Sequence, residues 1–197
     1  MGGEILPPYF ITFKKYNIMS CEALLTIEKS CDNNSGGIKR IYVNLQDNVD
    51  MDSLLTVTPV VNPGDAYTIG TLDLVVAADP FIEFEFRRNT SGYTEESNID
   101  LINGSSFVTQ TINLMFHRRE AAKSNAIKVL GSGQQYLSAI VEDQNGILWF
   151  FPFLQLTASG EGSGTARQDG SKYSVTLLAE NDQLAYAMDS AVLAGLL

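Results

Sequence analysis

The stretch from residue 107 to 153 sets the tightest limits on the fold, because a strand, a helix and a hairpin follow one another with little spare chain. In residues 107–116, Val108, Ile112, Leu114 and Phe116 share one parity while Thr109, Thr111 and Asn113 take the other. That is the period of two of a half-buried strand, and its second face is polar but uncharged. At His117-Arg118-Arg119-Glu120 the period changes. Ala122, Ala126, Val129 and Leu130 then recur at helical spacing until Gly131 and Gly133 stop a helix of about three to four turns. Two strands follow, over 136–143 and 147–153, joined through Asp143-Gln144-Asn145-Gly146, where Asn-Gly signals a tight hairpin turn. The order predicts a mainly β chain with one flanking α-helix.

A chain of 197 residues can bury one sizeable core, removing roughly two-thirds to three-quarters of its extended surface from water, so a single β domain is expected. The formal charge is −10, and both halves are acidic. Such a balance excludes a protein that grips nucleic acid by neutralising phosphates, but suits one past which nucleic acid slides. No basic segment followed by an apolar run opens the chain, and the apolar end over 191–197 falls far short of the roughly 20 residues that span a bilayer, so no membrane partner is expected. Cys21 and Cys31 have no companion cluster of cysteine or histidine to make a zinc site. In a reducing compartment they are expected as thiols rather than as a disulfide.

Taken in order, residues 5–13 contain Pro7-Pro8 and read as an extended arm, with 1–31 as an N-terminal region for contacts between subunits. Residues 20–29 fit a short helix or a strand. Asp32-Asn33-Asn34-Ser35-Gly36-Gly37 is a loop, and residues 38–45 alternate as the first strand of the main sheet. The spacing of Asp47, Asp50 and Asp52 is superficially that of a calcium loop, but the central glycine and closing glutamate are missing, so a solvated connection is expected. Strands are predicted over 54–61 and 67–76, around an Asn62-Pro63-Gly64-Asp65 turn. Over 81–87, Ile82, Phe84 and Phe86 alternate with Glu83, Glu85 and Arg87 as a further strand; residues 89–103 read as a long polar loop. Residues 159–164 read as a flexible glycine-rich loop, since neither the lysine nor the following helix of a phosphate loop is present. A final core strand covers 173–179, and a helix over 184–193 is predicted before the tail at 190–197.

No residues nominate a catalytic centre, a cofactor site or a metal site. His117 is the only histidine and sits where strand meets helix, which favours a structural role. Glu83 and Glu85 lie two positions apart on one strand, but a solvated ladder with Arg87 explains them better than an acid/base pair set across a cleft. Trp149 and Phe151, on a strand beside a tight turn, are candidate core or interface aromatics.

The run Gly36-Gly37-Ile38-Lys39-Arg40-Ile41-Tyr42-Val43, the strand and helix that follow, Glu142-Asp143-Gln144-Asn145-Gly146-Ile147-Leu148-Trp149, and Gly164-Thr165-Ala166 with Asp169-Gly170-Ser171-Lys172-Tyr173-Ser174-Val175-Thr176-Leu177 together resemble the tail tube proteins of tailed bacteriophages, especially phages of Bacteroidetes. The likeness spans most of residues 32–189, and its motifs are structural. It implies a tail-tube-like β-sandwich or barrel, six copies closing into a ring, and rings stacking into a conduit for DNA ejection. It further implies a virion protein made in the host cytoplasm, with other tail or neck proteins as partners and double-stranded DNA in transient, non-specific passage. Glu83 and Glu85 would then be candidates for an acidic lumen wall that repels phosphates. The extended region over 50–105 and the first 30 residues exceed a minimal tube subunit, leaving tube subunit and collar or terminator ring both open. A small β-rich carbohydrate- or protein-binding module built on Trp149 is the alternative.

Overall fold

A computed structural model describes residues 27, 29, 31–61, 65–132 and 135–197. The predicted arm, most of the helix-or-strand stretch at 20–29 and most of the 62–65 turn lie outside them. The described residues belong almost wholly to one compact unit, Asp32–Leu197.

The strands are β1 Ile38–Leu45, β2 Val49–Thr56, β3 Thr68–Leu74, β4 Ile82–Glu83, β5 Gly92–Asp100, β6 Ser105–His117, β7 Leu137–Asp143, β8 Leu148–Gly162, β9 Lys172–Asn181 and β10 Tyr186–Met188. The helices are α1 Ala121–Leu130 and α2 Ser190–Leu196. The protein is mainly β, with an open sheet curled into a half-barrel. Its main path runs β2-β3-β10-β8-β7-β1-β4, and a branch runs β5-β6-β9-β8.

Strand β8 belongs to both arms, and the handover sits at Pro152-Phe153. Leu154 still pairs with Leu137 of β7, whereas Gln155 pairs with Leu178 of β9. Proline has no N–H for a ladder, and Phe153 takes a positive φ of 59°, so the strand turns away from its first partner here. Side chains satisfy the backbone groups that the turn releases. Gln46 Oε1 accepts from Phe153 N at 2.9 Å and from Ser138 Oγ at 2.6 Å, and Asn181 Nδ2 donates to Pro152 O at 3.1 Å.

Folding one strand into two arms leaves β1, β7 and the first half of β8 covered on both faces. Ile41, Val43, Ala139, Val141 and Phe151 pack toward Ile112, Leu114, Val175 and Leu177 of the branch. Tyr42, Ile140 and Phe150 face the opposite way, into a second core with Ile69, Leu72, Met188 and Leu196. This double covering explains why Ile140-Val141 and Phe150-Phe151 are continuous apolar runs rather than alternating ones. Phe150 and Phe151 are fully buried, and each contributes about 1.5–3 kcal/mol on that account.

The hairpin between β7 and β8 closes as predicted: Gly146 N donates to Asp143 O at 3.1 Å, and Gly146 takes a φ of +85° that suits glycine. Helix α1 also lies where its spacing placed it, but Ala122 and Ala126 are exposed and no residue of the helix is fully buried. Ile127 and Leu130 rest on the first core. Polar contacts hold its start: Glu120 N donates to Tyr173 Oη at 3.1 Å, Ser124 Oγ lies 2.7 Å from the same hydroxyl, and Arg119 pairs with Glu161 at 2.9 Å.

Five expectations are corrected. Residues 89–103 are not a loop: β5 pairs along its whole length with β6, from Gly92↔Asn113 to Asp100↔Ser105, because the longer strand supplies a template that outweighs weak local propensity. The 159–164 stretch continues β8, pairing Gly160 with Ser174; a Cβ on Gly160 would stand 2.9 Å from Ser174 Oγ, so glycine permits the approach. The strand set at 54–61 runs instead over Val49–Thr56. Only Ile82 and Glu83 of 81–87 form a strand, since Phe81 turns into the second core and Phe84 and Phe86 onto the first. The helix predicted over 184–193 begins later, at Ser190, and runs to Leu196. Asp189 Oδ1 caps it by accepting from Ala191 N at 2.9 Å, and Leu196 closes the second core.

Candidate assembly surface

The four-stranded branch has one face on the first core and, among the described residues, one face free. Cross-strand register sets Thr94 beside Thr111 and Leu178, Glu96 beside Thr109 and Glu180, and Asn113 beside Thr176. All of these point away from Ile112, Leu114, Val175 and Leu177 by the period of two. The free face thus mixes hydroxyl and amide side chains with Phe107, Met115 and Leu178 and is acidic at its middle row, where Glu96 and Glu180 flank Thr109 roughly 10 Å apart across two strand spacings. The one nearby lysine of β9, Lys172, lies at the far end of the strand.

Both lateral borders of this branch are open among the described residues. Strand β5 pairs only with β6, and from Gln155 onward β8 pairs only with β9. Among the described residues no strand lies beyond β5 on one side or beyond the part of β8 that follows Gln155 on the other, the arrangement that accepts a further strand.

Glu83 and Glu85 are exposed, as a wet strand face requires, but they lie at the β4 margin of the main path, where Glu83 pairs opposite Tyr42. They do not share the face of Glu96 and Glu180. Phe151 is a core residue, wholly buried and edge-to-face with Tyr93 at 5.3 Å. Trp149 is half-buried. Its Nε1 donates to Asp143 Oδ2 at 3.2 Å, while Asp143 Oδ1 accepts from Asn145 N and Ile147 N at 2.8 and 2.9 Å. Burial first, then the charges of Asp143 and Glu95, pushes the Tyr93 hydroxyl up to about 12.

The ring of Trp149 forms one wall of a pocket of about 570 Å³ with Tyr67, Glu95, Val108, Leu184 and Tyr186. Behind it runs a buried polar relay that the sequence reading passed over. Gln110, fully buried, donates through Nε2 to Glu95 Oε1 at 2.9 Å and accepts at Oε1 from Asn181 Nδ2 at 2.7 Å. Ala185 N donates to the same Glu95 oxygen at 2.7 Å. The only trace in the sequence is the parity of Gln110, which falls on the apolar side of β6 between Val108 and Ile112.

Groups that carry chemistry are dispersed. Among the described residues no cluster of three or more histidine, cysteine, aspartate or glutamate side chains is placed to hold a metal ion. His117 Nδ1 is buried without a hydrogen-bond partner, and Cys31 is an exposed free thiol. Among the described residues no helix is long and apolar enough to cross a membrane. No family model and no curated protein matches the chain.

Proposed function

We infer that the protein is a structural subunit that closes side by side with identical copies into a ring, and that such rings stack into a tube of the phage-tail kind that its motifs resemble. The observation that carries this reading is the four-stranded branch: a free face, acidic at its middle row, between two open strand borders. Joining the β5 border of one copy to the second half of β8 in the next satisfies both rows of backbone groups at once. Repeated around an axis, the contact is heterologous and closes into a ring. The free faces then form a continuous wall on which Glu96 and Glu180 repel phosphates and the hydroxyl rows offer no cation to hold them. Six copies per ring, a place in the virion tail and passage of duplex DNA belong to this proposal, as does the absence of catalysis.

Negative-stain electron microscopy and analytical ultracentrifugation of the full chain test it. Annular particles and short tubes that grow with protein concentration are expected. A strictly monomeric species throughout the accessible range would sink the reading.

A second reading, a carbohydrate-binding module, draws on the aromatic pocket of Trp149, Tyr67 and Tyr186 beside Glu95. Glycan binding that disappears in Trp149→Ala would favour it.

A further inference from the structure

The hairpin joining β5 to β6 ends in a turn whose frame and corners disagree. Its frame is polar and well specified: Asp100 Oδ1 accepts from Ile102 N at 2.9 Å and Asn103 N at 3.1 Å, Gly104 N donates to Asp100 O at 2.8 Å, and Gly104 takes a φ of +68°. Asn103 Nδ2 also donates to Asp100 Oδ2, and this bond first, then those from Asn103 N and Ile102 N, holds the Asp100 carboxyl below its ordinary range. Yet the corners are Leu101 and Ile102, exposed to 90% and 95%, with Ile99 beside them at 69%. Turn corners are ordinarily polar, so a rigid loop that holds two aliphatic side chains in water indicates a contact made elsewhere.

The matching feature is the pocket of Tyr67, Val108, Trp149, Leu184 and Tyr186. Its one carboxylate, Glu95, already accepts from Gln110 Nε2 and Ala185 N, and its one amide side chain, Gln183, donates to Tyr186 Oη, so what remains for an incoming group is mainly apolar and aromatic. Its volume lies in the range that takes a drug-sized ligand and is ample for two aliphatic side chains. The tip cannot fill the pocket of its own chain. Leu101 lies six residues beyond Glu95 along an extended strand, about 20 Å away at the strand rise.

We propose that the Leu101-Ile102 tip of one copy inserts into the Trp149-Tyr67-Tyr186 pocket of a second copy. A knob and a hole displaced along one strand direction make a head-to-tail contact that repeats instead of closing on itself. The inference rests on the ring reading for its place, as the joint between successive rings, but the contact itself is defined by these two features.

Two variants of the full chain test it. With Cys21 and Cys31 replaced by serine, Leu101→Cys combined with Leu184→Cys is oxidised gently and run on a non-reducing gel. A ladder of covalent oligomers is expected. Its absence, or dimers alone, overturns the tip-and-pocket contact even if rings are seen by microscopy, whereas a ladder without rings supports the contact and removes the ring reading. Separately, Leu101→Ser with Ile102→Ser should leave the melting temperature unchanged, because both side chains are exposed, and should raise the concentration at which stacks form roughly a hundredfold. Stacks as long as the parent's overturn the proposal, as does glycan capture that is lost on Trp149→Ala while stacking persists.

Discussion

Asn181 Nδ2 donates to the buried Gln110 Oε1 at 2.7 Å and to Pro152 O at 3.1 Å, so one amide ties the last residue of β9 to the centre of β6 and to the bend of β8. This joint sits where the two arms of the sheet part. Gln110 has no access to water, so every group it leaves unpaired must be left unpaired in the core.

Gln110→Leu keeps the approximate volume but abandons Glu95 Oε1 and Asn181 Nδ2. A loss of about 1–3 kcal/mol in unfolding free energy is expected, read from the denaturant midpoint at unchanged slope. A variant within about 0.5 kcal/mol of the parent would show that the relay contributes no net stability.

Tyr93 gives the protein an alkaline limit. Its hydroxyl is held protonated up to about 12 in the folded chain against 10.0 when free, so the native state keeps a proton that the unfolded chain releases. The stabilisation is fully present below pH 10 and is lost as pH rises toward 12. Partial exposure of the ring screens the neighbouring charges, which reduces the effect to on the order of 1 kcal/mol. Comparing unfolding free energies of the parent and Tyr93→Phe from pH 9 to 12 checks this, the parent falling more steeply in that interval than the variant, which keeps the raised Tyr186 hydroxyl.

Gly164 turns the loop between β8 and β9 with a φ of +72°, and a Cβ there would meet Asp169 Cβ at 2.6 Å and Gly170 O at 2.9 Å. Neither neighbour is the free end of a long side chain. Gly164→Ala is expected to lower stability by about 1–3 kcal/mol, whereas Gly36→Ala, with open space around it and no positive φ, should change thermal unfolding little.

Reversing the charge of the middle row gives the proposed wall a direct assay. Assembled parent particles should not retain duplex DNA in a filter-binding experiment at moderate salt. Glu96→Lys with Glu180→Lys should retain it, with an affinity that falls as salt is raised. Equal, negligible retention by both would remove these two residues from any DNA-facing surface.

What could be read from the chain alone were the elements that carry their own period. Ile38–Leu45 alternates β-branched and aromatic residues and forms a strand with those bounds; β6 announces its apolar face through Val108, Ile112, Leu114 and Phe116; Asp143 to Gly146 encodes its turn in four adjacent residues. Each of these signals is local, so no partner is needed to interpret it. The candidate surface was half visible in the same way, since the polar face of β6 was evident in Thr109, Thr111 and Asn113.

Its acidic row was not. Glu96 lies in a segment, Gly92–Asp100, too polar to declare itself a strand, and becomes one only because β6 offers a nine-residue ladder to pair with. The division of β8 at Pro152, the burial of Gln110 and the docking of the last helix have the same origin. Each depends on which distant segment arrives alongside, and backbone pairing and burial are properties of two strands together rather than of either sequence by itself.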